Sequence, residues 1–151
     1  VKLTGTFPLA APPERAYALL QDPGVLARSM PGCESLERIG ENEFAMRMKM
    51  TLASVAGKFE GKVRIEEPNP PTSFRLVVDG SGRIGFMKGD GLLRIEPAPD
   101  GSAVHFDGDV QVGGTIANVG QRLIETTAKM LIKRFFDKVN GEAAQQRLAA
   151  D

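Results

Sequence analysis

The residues of this chain that could do chemistry are few. "GSGRIG" sets Gly80, Gly82 and Gly85 in the spacing of a dinucleotide fingerprint, and Asp100 lies where an acid would meet a ribose. That motif works by opening a helix whose N-terminus faces the pyrophosphate, whereas "FMKGDGLLRIEP" continues as glycine-rich strand. The glycines are read instead as bends and bulges of a curved sheet. Cys33, in "PGCES", could be a nucleophile, but the only histidine, His105, falls on the strand face opposite Val104 and Phe106. One cysteine and one histidine are too few ligands of the usual kind for structural zinc and leave no internal disulfide. The acids Glu60, Glu66, Glu67, Asp79, Asp107 and Asp109 mostly take outward strand positions, where nothing encloses them as a general acid or base requires.

What remains is apolar. "EFAMRMKMTL", residues 43–52, puts Phe44, Met46, Met48, Met50 and Leu52 on one strand face and Ala45, Arg47, Lys49 and Thr51 on the other. Methionine is flexible and polarizable, and suits an adaptable contact better than a stiff sheet. Inward glycines at Gly61 and Gly108 remove volume from the same sheet, and Gly120 interrupts the apolar stripe between Ile116 and Leu123. A mid-helix glycine costs about 1 kcal/mol against alanine, so Gly120 is read as leaving room beneath a helix. The expected function is binding of an apolar molecule in a cavity lined by Met46, Met48, Met50, Phe59, Phe86, Gly120, Leu123 and Ile124.

The elements that must position these residues follow from periodicity. Leu3, Gly5, Phe7 and Leu9 alternate as a first strand. "APPERAYALL" reads as a short helix opened by prolines, and Asp22-Pro23 as the cap and first turn of a second. From about residue 34 to 112 the period is two, with turn-length connections, which predicts six further antiparallel strands. After Gly113-Gly114 the period becomes 3.6 from Ile116 to Val139, predicting a helix of some 26 residues, about 39 Å long. The fold class is therefore α+β: a curved seven-stranded antiparallel sheet around a long C-terminal helix, with two short helices after strand one.

The 151 residues are expected to form a single domain, with a polar tail from about residue 141. The 19 basic residues balance 19 acidic ones, which argues against nucleic acid as a partner. With one cysteine and no long apolar run, a reduced cytoplasmic setting is expected. Lys129, Lys133, Arg134 and Lys138 suit a soluble helix end; an acidic membrane surface is the second reading of the same charges.

The order of elements resembles the helix-grip fold of the START-related (SRPBCC) superfamily, in which a curved sheet wraps a C-terminal helix around an apolar cavity. More specifically, "PGCESLE" (31–37), "FEGKV" (59–63), "PPTSF" (70–74), "GFMKGDG" (85–91) and "VGGTIANVGQRLIETTAKMLIKRFF" (112–136) resemble the CoxG family of carbon monoxide dehydrogenase subunits. The resemblance implies a non-catalytic accessory protein of molybdenum hydroxylases of the carbon monoxide dehydrogenase type, recruiting the enzyme to the inner face of the cell membrane as a peripheral protein. It implies a bound lipid or isoprenoid quinone and no other cofactor. Longer relatives carry a further C-terminal tail or apolar anchor, whereas "EAAQQRLAAD" is polar. Partner docking is expected at the loop Pro31, Gly32, Cys33 and Glu34. The competing expectation is a cyclase- or lyase-like enzyme acting on a hydrophobic small molecule in the same cavity, which would require ionisable side chains aimed inward.

Overall fold

The computed structural model describes residues 1–150. Strand β1 (Lys2–Leu9) leads into α1 (Pro13–Leu19) and α2 (Pro23–Ser29). Six strands follow: β2 (Cys33–Gly40), β3 (Glu43–Leu52), β4 (Val55–Asn69), β5 (Ser73–Gly82), β6 (Gly85–Ala98) and β7 (Gly101–Gly113). A short 3-10 helix (Thr115–Val119) then precedes α3 (Gln121–Ala150). The seven strands form one antiparallel sheet in the order β1-β7-β6-β5-β4-β3-β2, so the first strand closes against the last. Both short helices start as their sequences dictate. Proline occupies the first turn of each, and the Asp22 carboxylate accepts from the N–H groups of Gly24 and Val25 at the mouth of α2.

Alternation places one face of the sheet inside. Leu9, Phe44, Phe74, Leu93 and Val104 are buried with Ala16, Leu20 and Leu26 of the short helices and with Phe136, Val139 and Ala143 of α3. This main core is anchored by the Phe136 ring, stacked on Phe7 at 4.3 Å between centroids and edge-on to Phe106 and Phe135. Around it, the Asn140 amide oxygen accepts from the Ala10 N–H, and Glu142 takes hydrogen bonds from Arg28 and Ser29. A second, smaller core of Leu52, Phe59 and Ile116 sits at the other end of the sheet, with Met50, Val55, Ile84, Val112, Val119 and Leu123 against it.

Two expectations about the C-terminal third are corrected. The stripe from Ile116 is not one helix: the 3-10 turn is followed by Gly120 at φ +98°, and α3 begins after it. Gly120 is therefore a junction, where glycine alone adopts the positive φ at little cost, and not a mid-helix gap. The expected polar tail is not a tail. Helix α3 runs for 30 residues, about 45 Å, with Ala143 wholly buried and Gln146 hydrogen-bonded to Arg15.

The glycine that does interrupt α3 is Gly141, which is exposed, and a Cβ there would meet nothing within 4 Å. Gly141→Ala is expected to raise stability by about 0.5–1 kcal/mol, read as a higher urea midpoint at unchanged slope.

Candidate functional site

The centre of the inner sheet face is stripped of side chains. Register sets Met46 opposite Gly61, Gly61 opposite Gly80 and Gly80 opposite Met87 in one row across the strands. The next rows read Val63, Val78, Gly89, Val110 and Ile65, Leu76, Gly91, Gly108. Two of these glycines serve aromatic packing, because the Phe106 ring lies where Cβ atoms of Gly91 and Gly108 would stand. Gly61 is held by its backbone: a Cβ would fall 1.8 Å from the Asp79 carbonyl oxygen. Gly89 is different. A Cβ there would meet only Val78 Cβ at 3.8 Å and Val110 Cγ2 at 4.0 Å, both from the sheet, so no atom of α3 lies over that position within 4 Å.

Helix α3 packs chiefly on β1 and α2, with its C-terminal half clamped in the main core. Before Phe135, only Ile124 of α3 is buried, while Leu123, Thr127, Ala128 and Leu131 are half-buried. Helical spacing puts those four on one face with Ile124. On the sheet, Met87, Gly89 and Val110 are also half-buried, and like Ala128 and Leu131 they belong to neither core.

The expected site residues fall in different surroundings. Met46, Met48 and Phe59 are fully covered by the protein itself, with Met46 and Met48 in the main core and Phe59 in the second. Met50 and Leu123 pack against the second core, and Ile124 is buried near the start of α3. Phe86 is a correction: it is 43% exposed on the convex face, under the Lys88 ammonium at 6.0 Å from its ring centre. Counting back by twos from the inward Leu93 reaches Met87, so parity alone assigns Met87 to the interior. Gly120 is corrected as well, since it stands before α3 and not above the sheet. The inward Met87, Gly89 and Val110 are absent from the expected site; "KGDG" carries Gly89 and Gly91 at a spacing of two, the signal that a register count exposes.

The convex face carries the charge. Arg75 pairs with Glu67 and Asp90, Arg64 with Glu66, Arg47 with Glu60 and Lys62 with Glu43. A depression of about 610 Å³ on this face is lined by charged side chains such as Arg64, Arg75, Asp79 and Asp90 together with Val77, Val78, Gly89 and Leu92. His105 lies there too, its ring nitrogens 3.0 Å from Thr6 Oγ1 and 3.0 Å from a Glu96 oxygen, and is remote from Cys33 in the sheet order. The "GSGRIG" glycines end β5 and start β6 of a hairpin, with no helix to meet a pyrophosphate. Among the described residues no cluster of His, Cys, Asp and Glu could hold a metal ion, and no helix is long and apolar enough to cross a membrane.

Of the expected docking loop, Pro31 and Gly32 form a tight turn after α2, while Cys33 and Glu34 already belong to the edge strand β2. Gly32 has φ +83°, its carbonyl accepts from the Lys49 N–H at 2.8 Å, and a Cβ there would fall 2.2 Å from the Lys49 oxygen. Gly32 and Glu34 are exposed, Pro31 and Cys33 half-buried. Burial pushes the Cys33 thiol pKa up, against a smaller opposing effect of the Ser35 backbone. Its alkylation is therefore expected to be slower at pH 8 than that of free cysteine, with the rate–pH midpoint above the ordinary thiol range; a faster reaction would mark an activated thiolate. The folded chain keeps this proton to higher pH than the unfolded chain, so its contribution to stability falls as pH rises through that range.

A curved sheet gripping a long helix over an apolar interior defines the helix-grip fold. The chain resembles a START superfamily protein from Mycobacterium smegmatis (15% identity, TM-score 0.74, covering 96% of this chain and 98% of that one). It also resembles a protein from Chromobacterium violaceum (21% identity, TM-score 0.62, covering 93% and 95%), and at these identities the likeness establishes the fold. A conserved protein from Geobacillus kaustophilus is nearer, with 32% identity, TM-score 0.89 and 96% of each chain covered. Residues 5–144 match the model of CoxG, a family of carbon monoxide dehydrogenase subunits, and the chain belongs to that family. No curated protein matches it.

Proposed function

We propose that this protein is a non-catalytic accessory protein that carries an apolar molecule, a lipid or isoprenoid quinone, in the cleft between sheet and α3. We further propose that it brings a molybdenum hydroxylase of the carbon monoxide dehydrogenase type to the membrane. The observation that carries the first part is that half-buried apolar residues of the sheet and of α3 lie outside both cores, and that no α3 atom comes within 4 Å of where a Cβ would stand at Gly89. The family's name supports the partner. The exposed turn at Gly32 and Glu34 offers a docking point, and exposed Lys129, Lys133, Arg134 and Lys138 beside Met130, 43% exposed, suit peripheral contact with an acidic bilayer from the cytoplasmic side.

Solvent extraction of the purified chain followed by mass spectrometry tests the reading: about one apolar molecule per chain is expected, or uptake of one from quinone-loaded vesicles. A chain that yields nothing and takes up nothing contradicts it. The docking part predicts that a tagged chain retains the dehydrogenase and that Glu34→Arg, which reverses an exposed charge, weakens retention without altering ligand content. The enzymatic alternative finds little support in the lining, where Thr127 is the polar side chain and the acids Glu60, Asp79, Asp90, Asp107 and Asp109 are exposed on the other face.

A further inference from the structure

The charges of this net-neutral chain are sorted along the strands. Each strand from β2 to β7 pairs with the next, so the hairpin turns fall alternately at the two ends of the sheet. The β2–β3, β4–β5 and β6–β7 turns, residues 40–43, 66–73 and 96–101, carry six acids and no lysine or arginine. Arg38 and Arg147 reach in at that end, to the carbonyls of Glu41 and Asp100. The other end holds the β3–β4 and β5–β6 hairpins and the 3-10 turn, joined in the second core by Leu52, Val55, Ile84, Ile116 and Val119. The segments that build it, 49–58, 80–89 and 110–124, carry Lys49, Lys58, Arg83, Lys88 and Arg122 and no acid. Lys49 and Lys58 stand directly opposite each other on β3 and β4, a like-charge pair that costs the sheet stability. Glu34 comes within 3.8 Å of Lys58, whereas Lys49, Arg83, Lys88 and Arg122 have no carboxylate partner among the described residues. The tips are uncharged and exposed at Ala53, Ser54, Ala56, Thr115 and Asn118, and Phe86 lies exposed beside Lys88. Helix α3 starts at this end, where Leu123 meets the second core, and adds the positive pole of its dipole.

Uncharged tips ringed by unpaired cations complement apolar chains beneath anionic headgroups, and the acidic turns at the far end are repelled by the same surface. Resting on the peripheral-contact part of the reading above, we propose that the protein meets an anionic bilayer end-on, with the β3–β4 and β5–β6 tips first. Lys49, Arg83 and Arg122 then lie on lipid phosphates and Phe86 at headgroup depth. The α3 cations are the weaker contact, because Lys129 and Lys133 are paired with Glu125 and Asp137.

The test uses the whole chain and phosphatidylcholine vesicles with and without phosphatidylglycerol. Replacing Lys49, Arg83 and Arg122 together by Gln is expected to weaken partition onto the anionic vesicles about 100-fold, at about fivefold per charge. The matching Gln replacement of Lys129, Arg134 and Lys138 should change it less than about threefold, and all six side chains are exposed, so both variants should keep the parent's melting temperature. The chain has no tryptophan, so a single one reports where lipid lies. Emission from Ala56→Trp at the tip should shift to the blue on anionic vesicles, while that from Met130→Trp on α3 should stay as in buffer. Equal losses in the two charge variants, or a blue shift in Met130→Trp without one in Ala56→Trp, overturns the end-on contact and leaves peripheral binding standing. A parent chain that ignores anionic vesicles overturns both this inference and the membrane part of the reading above.

Discussion

Gly89→Phe is expected to block ligand uptake and leave the fold intact. At Gly89 a Cβ meets Val78 and Val110 at ordinary van der Waals distance, so the strand accepts a side chain without moving. The ring must then project toward α3, into the volume assigned to the guest. Forcing extra atoms into filled space costs about 1–3 kcal/mol, so affinity for an apolar probe should fall about 10- to 100-fold. Stability should move the other way, because replacing a strand glycine relieves about 0.5–1 kcal/mol of backbone entropy cost and the new ring gains contacts. Loss of binding together with a raised or unchanged melting temperature separates a filled cleft from a damaged protein. A substantially lowered melting temperature would mean that the helix already rests on the sheet there. Gly120 is the wrong position for this test, since its φ of +98° strains any other residue whatever the space around it.

Phe136→Ala should be the most destabilising single truncation on α3. The ring is 3% exposed, stacks on Phe7 and meets Phe106 and Phe135 edge-on, so its removal costs burial and leaves a cavity among aromatic neighbours that cannot collapse into it. Burial and cavity terms together amount to about 3–5 kcal/mol, a large share of the stability of a domain this size. The consequence reaches the cleft. The N-terminal half of α3 meets the two cores only through Leu123 and Ile132, so its position depends strongly on the C-terminal anchor at Phe135, Phe136 and Val139. Urea unfolding should read the stability loss, and ligand affinity should weaken in the same variant. A loss below about 1 kcal/mol would mean that the anchor lies elsewhere, in the Glu142 and Asn140 hydrogen bonds.

The strands, short helices and final helix were legible because each is written in a single period with its own start signal: Asp22 before Pro23, prolines at 12 and 13, alternation from Phe44 to Leu52. The break at Gly120 was not legible. A glycine on an apolar stripe reads the same whether it lies inside one helix or between two, and only its φ separates them. Nor does spacing announce that a polar C-terminus such as "EAAQQRL" holds Ala143 at zero exposure, because what buries it comes from distant segments of the chain.

For the site, two of the three residues of the methionine stripe, Met46 and Met48, are core. The proposed opening is marked by what is missing, the side chain of Gly89, and a missing side chain acquires meaning only once register shows which glycines face inward. Phe86 failed on parity by one position, the slip that moves a strand residue to the other face.

The most direct measurement is a crystal structure of the unliganded protein under xenon pressure. Xenon enters dry apolar space of ligand size and is located by its anomalous signal. The account predicts a xenon site between Gly89 and Val110 on the sheet and Thr127 and Leu131 on α3, lost in Gly89→Phe. A helix lying directly on the sheet at Gly89, with no xenon bound beneath it, would contradict it.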